Sequence, residues 1–316
     1  MHRIILDTDP GIDDALALFL ALVSSEIQLE AITTVSGNVH VDLTSYNALT
    51  LLEVMERTDI PVAKGSSQPL VRTRIDAGYF HGSNGLGEIV LPKPQKAVVA
   101  QSAVNLIVER IIRAPGEITI VAIAPLTNLA LALRCEPSIV HAVREVVIMG
   151  GALKVRGNVT PAAEFNILAD PHAAHMVLHA GWPIRLVPLD VTQQVCLRKE
   201  DIVRLRQTAT PLAELITQIT DYYFDHFASP RGISTFAMND SLCLAAVFRP
   251  DFITWESTYV TVELTGAHTL GETVAYFNDY DIPSPHPPNV RAAVSVDASR
   301  FLQWYFERMG SYLYQM

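Results

Sequence analysis

The stretch DTDPGIDDA (residues 7–15) decides how this chain is read. Four of its nine residues are aspartates: Asp7, Asp9, Asp13 and Asp14. They follow the apolar run Ile4, Ile5, Leu6 and precede Leu16, Leu18, Phe19 and Leu20. Four carboxylates therefore crowd a junction between two segments patterned for burial, where their mutual repulsion is worst. RIILD (3–7) reads as a strand, Pro10 and Gly11 as a turn, and residues 13–24 as a helix.

The same alternation continues outward from that unit. LEAITTVSGN predicts a second strand ending in a polar loop, followed by a helix near 41–57. Helical spacing returns over 98–113, ITIVAIA (118–124) is a buried strand, and 126–133 is helical. VREVVIMGG predicts a strand, 171–180 a helix, IRLVPLD a strand, and 199–228 long helical segments. PSPHPP (283–288) reads as a loop before the strand-like VRAAVSVD and a last helix. Strand–helix alternation of this kind predicts one α/β domain spanning 1–316, a mainly parallel open sheet covered by helices on both faces. Ligands of such sheets bind beyond the carboxyl ends of the strands. Polar clusters fall at those ends: DTDPGIDD, VSGN, IAPLTN and MGG.

Composition narrows the function classes. A net charge of −10 without a Lys/Arg cluster argues against a nucleic-acid surface. No apolar run reaches the roughly 20 residues of a spanning helix, and the amino terminus lacks a leader pattern. Cys135, Cys196 and Cys243 are few and widely spaced, so three buried, inert thiols and a reduced, cytoplasmic setting are expected.

Helix capping explains one or two of the clustered aspartates, since Asp is favoured at helix amino termini. The whole set is better explained by a hard divalent cation. Ca²⁺ accepts a ring of carboxylates, carbonyls and waters, and a cation here would acidify water for a neighbouring carboxylate to deprotonate.

DTDPGIDDA closely resembles the amino-terminal signature of the inosine–uridine-preferring nucleoside hydrolases. The likeness is collinear through TTVSGN (33–38), HGSNGLG (81–87), APLTN (124–128), MGG (149–151) and GNVTPAAEFNILADPHAA (157–174). It continues through ND (239–240) and PNVRAAVSVD (288–297). The resemblance implies Ca²⁺-dependent hydrolysis of the N-glycosidic bond of small-molecule ribonucleosides in nucleoside salvage, by a homodimer or homotetramer. Asp9, Asp14, Asp240 and the backbone carbonyl of Ile123 resemble the Ca²⁺ ligands, and Asp9 also the general base. Asp13, Asn38 and Asn166 look like ribose contacts, and Asn158 and Glu164 like a grip on the 5′-hydroxyl. Met149 and His81 join the substrate-binding set, HGSNGLG looks like a lid, and Asp7 supports the ligands from behind.

The plainer explanations are a flexible glycine-rich loop for HGSNGLG, a turn for Asn158, a strand-end loop for Asn38, and a solvated loop histidine for His81. The chemistry suits the residue types, because carboxylates beneath the ring favour an oxocarbenium-like sugar. A phosphate would call for more Arg or Lys than these segments hold.

The chain departs from the pattern at Asn239. Members of the family typically carry a histidine there, associated with protonating the departing base, and an amide cannot deliver a proton. Tyr222 and His226 are four apart on an expected helix and share a face, so His226 is a candidate donor; an exposed helix histidine is the alternative. Two other functions compete. A haloacid-dehalogenase-type phosphatase also opens on Asp-x-Asp, but leaves PGIDDA and AEFN unexplained. A non-catalytic sugar-binding or nucleoside-binding protein has no need of Asp9 as a base.

Overall fold

The computed structural model describes residues 1–277, 284 and 286–310. Part of the PSPHPP segment, residues 283 and 285, lies outside the described residues.

Nine strands form one sheet: β1 (His2–Thr8), β2 (Ile27–Thr34), β3 (Val62–Lys64), β4 (Ile118–Ala122), β5 (Glu145–Met149) and β6 (Ile184–Val187), with three more introduced below. Two further short strands, β7 (Cys196–Arg198) and β8 (Thr235–Ala237), pair antiparallel in a separate ribbon. The sheet is completed by β9 (Ile253–Val262), β10 (Thr273–Tyr276) and β11 (Val290–Val296), in the order β10-β9-β11-β6-β5-β4-β1-β2-β3. From β3 through β11 neighbours run parallel, whereas β9 pairs antiparallel with both β11 and β10.

β1 occupies the middle of the parallel part, between β2 and β4. Its apolar residues alternate: Ile4 and Leu6 enter one core, Ile5 the other. The larger core packs helices Ile12–Val23, Pro211–Tyr222, Asn239–Phe248 and Ala298–Gly310. The smaller packs Ala103–Arg113, Thr127–Cys135 and Pro171–Leu178 on the opposite face. Period-2 burial across a strand covered on both sides is what a continuous Ile/Leu run specifies. The expected single-domain α/β sheet is therefore observed.

Local differences have local causes. Residues 98–102 are not helical: Val99 N–H donates to the Val62 carbonyl, and Ser102 caps a helix that begins at Ala103. IRLVPLD is a strand only to Val187, because Pro188 lacks an N–H for the ladder and Leu189–Thr192 forms a helical turn. The antiparallel edge formed by β9 and β10 was not expected, since its polar, alternating residues gave no strand signal as clear as the buried runs. Of the cysteines only Cys243 is buried; Cys135 is exposed and Cys196 half-buried, which corrects the expectation of three buried thiols. No helix among the described residues is long and apolar enough to cross a membrane.

Candidate active site

The carboxyl ends of β1, β2, β4 and β5 open onto one cavity of about 390 Å³, within the range of roughly 300–1,000 Å³ usual for small-ligand sites. The turn Asp9–Gly11 carries the chain from β1 into helix Ile12–Val23 and holds the aspartates at its mouth.

Asp14 is the best-anchored carboxylate. Its Oδ1 accepts from Thr8 Oγ1 at 2.5 Å and Asp9 N–H at 3.1 Å, and its Oδ2 from Gly11 N–H at 3.0 Å and Asn38 Nδ2 at 2.9 Å. Asp9 is wholly buried; Oδ2 accepts from Asn38 N–H at 2.6 Å, while Oδ1 is buried without a partner among the described residues. Asn38 also donates from Nδ2 to the Asp9 carbonyl, so it buttresses two aspartates at once. Two glycines make this crowding possible. A Cβ on Gly37 would lie 2.0 Å from Asp9 Oδ2, and one on Gly11 would lie 2.6 Å from His81 Nδ1.

Behind this layer Asp7 accepts from Thr33 Oγ1 at 2.5 Å and Asn128 Nδ2 at 2.8 Å. Burial pushes Asp7 up to about 7 and Asp14 up to about 6. The same desolvation, reinforced for Asp9 and Asp240 by neighbouring carboxylates, raises Asp9, Asp13 and Asp240. So many buried acids facing each other demand a counter-charge.

Asp240 reaches the cluster from far along the chain. The β7–β8 ribbon closes off the helical excursion between Arg198 and Thr235, and Met238 N–H donates to the Val195 carbonyl at 2.9 Å. Helix Asn239–Phe248 then starts at the cavity and packs on Ile12–Val23. Side-chain oxygens of Asp13, Asp14 and Asp240 lie within 4.8 Å of one another. That trio contains Asp13 and not Asp9, a difference from the expected ligand set of Asp9, Asp14 and Asp240. Oxygen-only donors at this spacing, beside the unpartnered Asp9 Oδ1, fit a hard divalent cation.

The far wall comes from the segment after β5. Glu164 caps helix Phe165–Ala169: Oε1 accepts from Asn166 N–H at 2.8 Å, and Oε2 from Ile167 and Gly151 N–H groups, both at 3.1 Å. Asn158 Oδ1 accepts from Phe165 N–H at 3.0 Å. Asn166 Nδ2 donates to the carbonyls of Ile123 at 3.2 Å and Met149 at 3.3 Å. Asp13, Asn38, Ile123, Met149, Asn158, Glu164, Asn166, Asn239 and Asp240 thus all border one cavity.

His81 does too, and it is no solvated loop histidine. It is 5% exposed, and Nδ1 accepts from Ile12 N–H at 3.0 Å. Burial lowers its pKa to about 4, so the ring is neutral with its proton on Nε2.

Tyr222 and His226 are the exceptions. Neither borders the cavity; His226 is exposed and its ring stacks on Tyr222 at 4.7 Å. The two keep the shared face that their spacing predicts, but the adjacent face of the segment borders the cavity, and a π-helical turn, Tyr223–Ala228, begins only after Tyr222. Tyr223 and Phe227 face inward, packed on Phe80 at 4.9 and 4.8 Å between ring centres. Tyr223 donates its hydroxyl to the Thr235 carbonyl at 2.8 Å, and burial pushes its pKa up to about 12. These aromatics went unassigned in the sequence. The Tyr79-Phe80 pair just before HGSNGLG, and the neighbouring Tyr222-Tyr223-Phe224, were the available signal.

A family model described as "Inosine-uridine preferring nucleoside hydrolase" matches residues 4–303. The chain is 40% identical over 301 residues to an inosine-uridine preferring nucleoside hydrolase of Crithidia fasciculata, covering 95% of this chain and 94% of that protein. It is 39% identical over 314 residues to a probable uridine nucleosidase 2 of Arabidopsis thaliana, covering 97% of each. Among solved structures it is similar to a plant nucleoside hydrolase, with a TM-score of 0.92, 34% identity, and coverage of 98% of this chain and 99% of that one.

Proposed function

Because the chain belongs to the inosine-uridine preferring nucleoside hydrolase family and is a nucleoside N-ribohydrolase, we propose that it is Ca²⁺-dependent, serves nucleoside salvage, and uses Asp9 as its general base. The observation that carries this reading is the buried Asp9 Oδ1, which has no partner among the described residues although its other oxygen is held by Asn38. An acceptor kept dry and oriented in this way is suited to taking a proton from water.

Asp9, Asp14, Asp240 and the Ile123 carbonyl would hold the cation, with Asp13 beside them. Bound there, a divalent cation supplies the missing positive charge and makes a neighbouring water more acidic. Asp9 takes the water's proton as oxygen bonds to C1′ of the ribose and the C1′–N bond breaks. The proton balance closes when the departing base gains a proton at nitrogen. Asp13, Asn38 and Asn166 hold the ribose, and the buried carboxylates favour the positive charge that develops on the ring. Asn158 and Glu164 fix the loop around Phe165 and stand where a 5′-hydroxyl would meet them. Toward the base, Tyr79, Phe80, Tyr223 and Phe227 offer flat apolar surface. With His226 outside the cavity, His81 takes its place in this reading, offering its Nε2–H to the leaving group.

The test is Asp9→Asn, assayed for ribose release from uridine and inosine at saturating Ca²⁺. The amide keeps the shape but removes the proton acceptor, so turnover should fall on the order of a hundredfold or more. Near-wild-type turnover would assign the base elsewhere.

A further inference from the structure

Asn239 stands at the start of helix Asn239–Phe248, beside Asp240 and on the cavity wall. Its Nδ2 donates to Asp13 Oδ2 at 3.3 Å. An ionised carboxylate only accepts, so this bond determines which end of the amide faces Asp13. The other end, Oδ1, is buried and meets no partner among the described residues. One N–H of Asn239 is therefore engaged with Asp13, and its Oδ1 is withheld from the cavity.

The surroundings of Asp13 make that bond consequential. Its Oδ1 lies 4.0 Å from His81 Nδ1, but that nitrogen already accepts from Ile12 N–H and has no proton to give. Asp14 and Asp240 crowd Asp13 with like charge. A carboxylate placed among carboxylates turns away from them unless donors hold it; Asn239 holds Oδ2, alongside hydrogen bonds to Asp13 from the Asp240 side chain and the backbone of Asp13 and Asp14.

We propose that Asn239 is a positioning residue that acts through Asp13. By holding Oδ2 it keeps Oδ1 directed at the ribose, so position 239 governs sugar recognition and does not act on the departing base. The proposal rests on the ribonucleoside reading above, with Asp13 as a ribose contact.

The experiment compares wild type with Asn239→Ala and with the isosteric Asn239→Asp, which keeps the shape but lacks the donor. Uridine, 2′-deoxyuridine and p-nitrophenyl riboside are assayed at saturating Ca²⁺; the last has a leaving group that needs no proton. Both variants should lose kcat/KM about tenfold to a hundredfold on uridine and by a similar factor on p-nitrophenyl riboside. The preference for uridine over 2′-deoxyuridine should contract about tenfold, a change that general loosening of the fold would not produce. A variant impaired on uridine but not on p-nitrophenyl riboside would show Asn239 acting on the base and overturn the proposal. An unchanged ribose-to-deoxyribose preference would overturn it as well. Wild type inactive on every ribonucleoside would instead defeat the underlying reading, so the two failures are told apart.

Discussion

Histidines separate the roles of single residues here. His81 is buried, neutral and limited to one tautomer by Ile12 N–H, whereas His226 is exposed and stacked on Tyr222. A neutral imidazole of low pKa still donates a hydrogen bond well, and in a dry cavity that bond strengthens as charge builds on a leaving base. His81→Ala should therefore lower kcat on uridine by about tenfold to a hundredfold, with a smaller loss on p-nitrophenyl riboside. His226→Ala should leave both rates within about twofold, as expected of a surface substitution. Steady-state kinetics on the two substrates checks both, and a large uridine-specific loss in His226→Ala would return that residue to the site. The resemblance named Asp9, Asp13, Asp14 and Asp240, with Asn38, Asn158, Glu164 and Asn166, as site residues, and all of them except Asp9 and Asp14 border the cavity. It could not show which carboxylate oxygen is held and which is unpartnered, because that depends on Asn38, Asn128 and Asn239 arriving from other elements.

Elements determine how close those groups come. The loop after β2 passes so near the β1 turn that Gly37 has no room for a Cβ beside Asp9 Oδ2. Gly37→Ala should displace either the loop or the Asp9 carboxylate. We expect a stability loss on the order of 1–3 kcal/mol, typical of overpacking, with a larger proportional loss of activity. Urea denaturation and uridine turnover measured together check this; wild-type values of both would mean the loop relaxes freely. The π-helical turn Tyr223–Ala228 is the element the sequence concealed. Its residues have ordinary α-helical spacing on paper, and Tyr223 and Phe227 border the cavity where Tyr222 and His226 do not. The short strands β7 and β8 were likewise hidden, since three residues each give no periodicity to read.

At the scale of the whole molecule the buried charges decide stability. Asp7 and Asp14 titrate near 7 and 6, above their ordinary 3.8, and Asp9, Asp13 and Asp240 are raised as well. Without a cation, the native chain keeps protons that the unfolded chain has released. The stability these groups contribute is present below pH 3.8 and is lost as pH rises through their folded values, toward about 7 for Asp7. His81 opposes this: its folded value of about 4 lies below its ordinary 6.5, so its contribution is lost as pH falls between those values. Five carboxylates outweigh one imidazole. The Tm of chelated protein should therefore fall as pH rises from about 5 to about 8, and excess Ca²⁺ should raise Tm most at the alkaline end by binding the native state. Activity should vanish with the chelator and return with Ca²⁺. A Tm that rises over this range without metal, or full activity in metal-free protein, would count against a cation at the aspartates.

The sequence by itself determined the layered architecture and the place of the site. Apolar runs of strand length between amphipathic helices can be buried only in a covered parallel sheet, and the polar clusters fall at its carboxyl edge. DTDPGIDDA, AEFN and ND also carried the family resemblance that implied the chemistry, and carboxylates so concentrated need a counter-charge wherever they fold. Only the tertiary structure decided which partners they have. It brought Asp240 from a distant helix to Asp13 and Asp14, buried His81 against Ile12, and turned His226 out to solvent. Those outcomes depend on long-range packing, which local spacing does not encode.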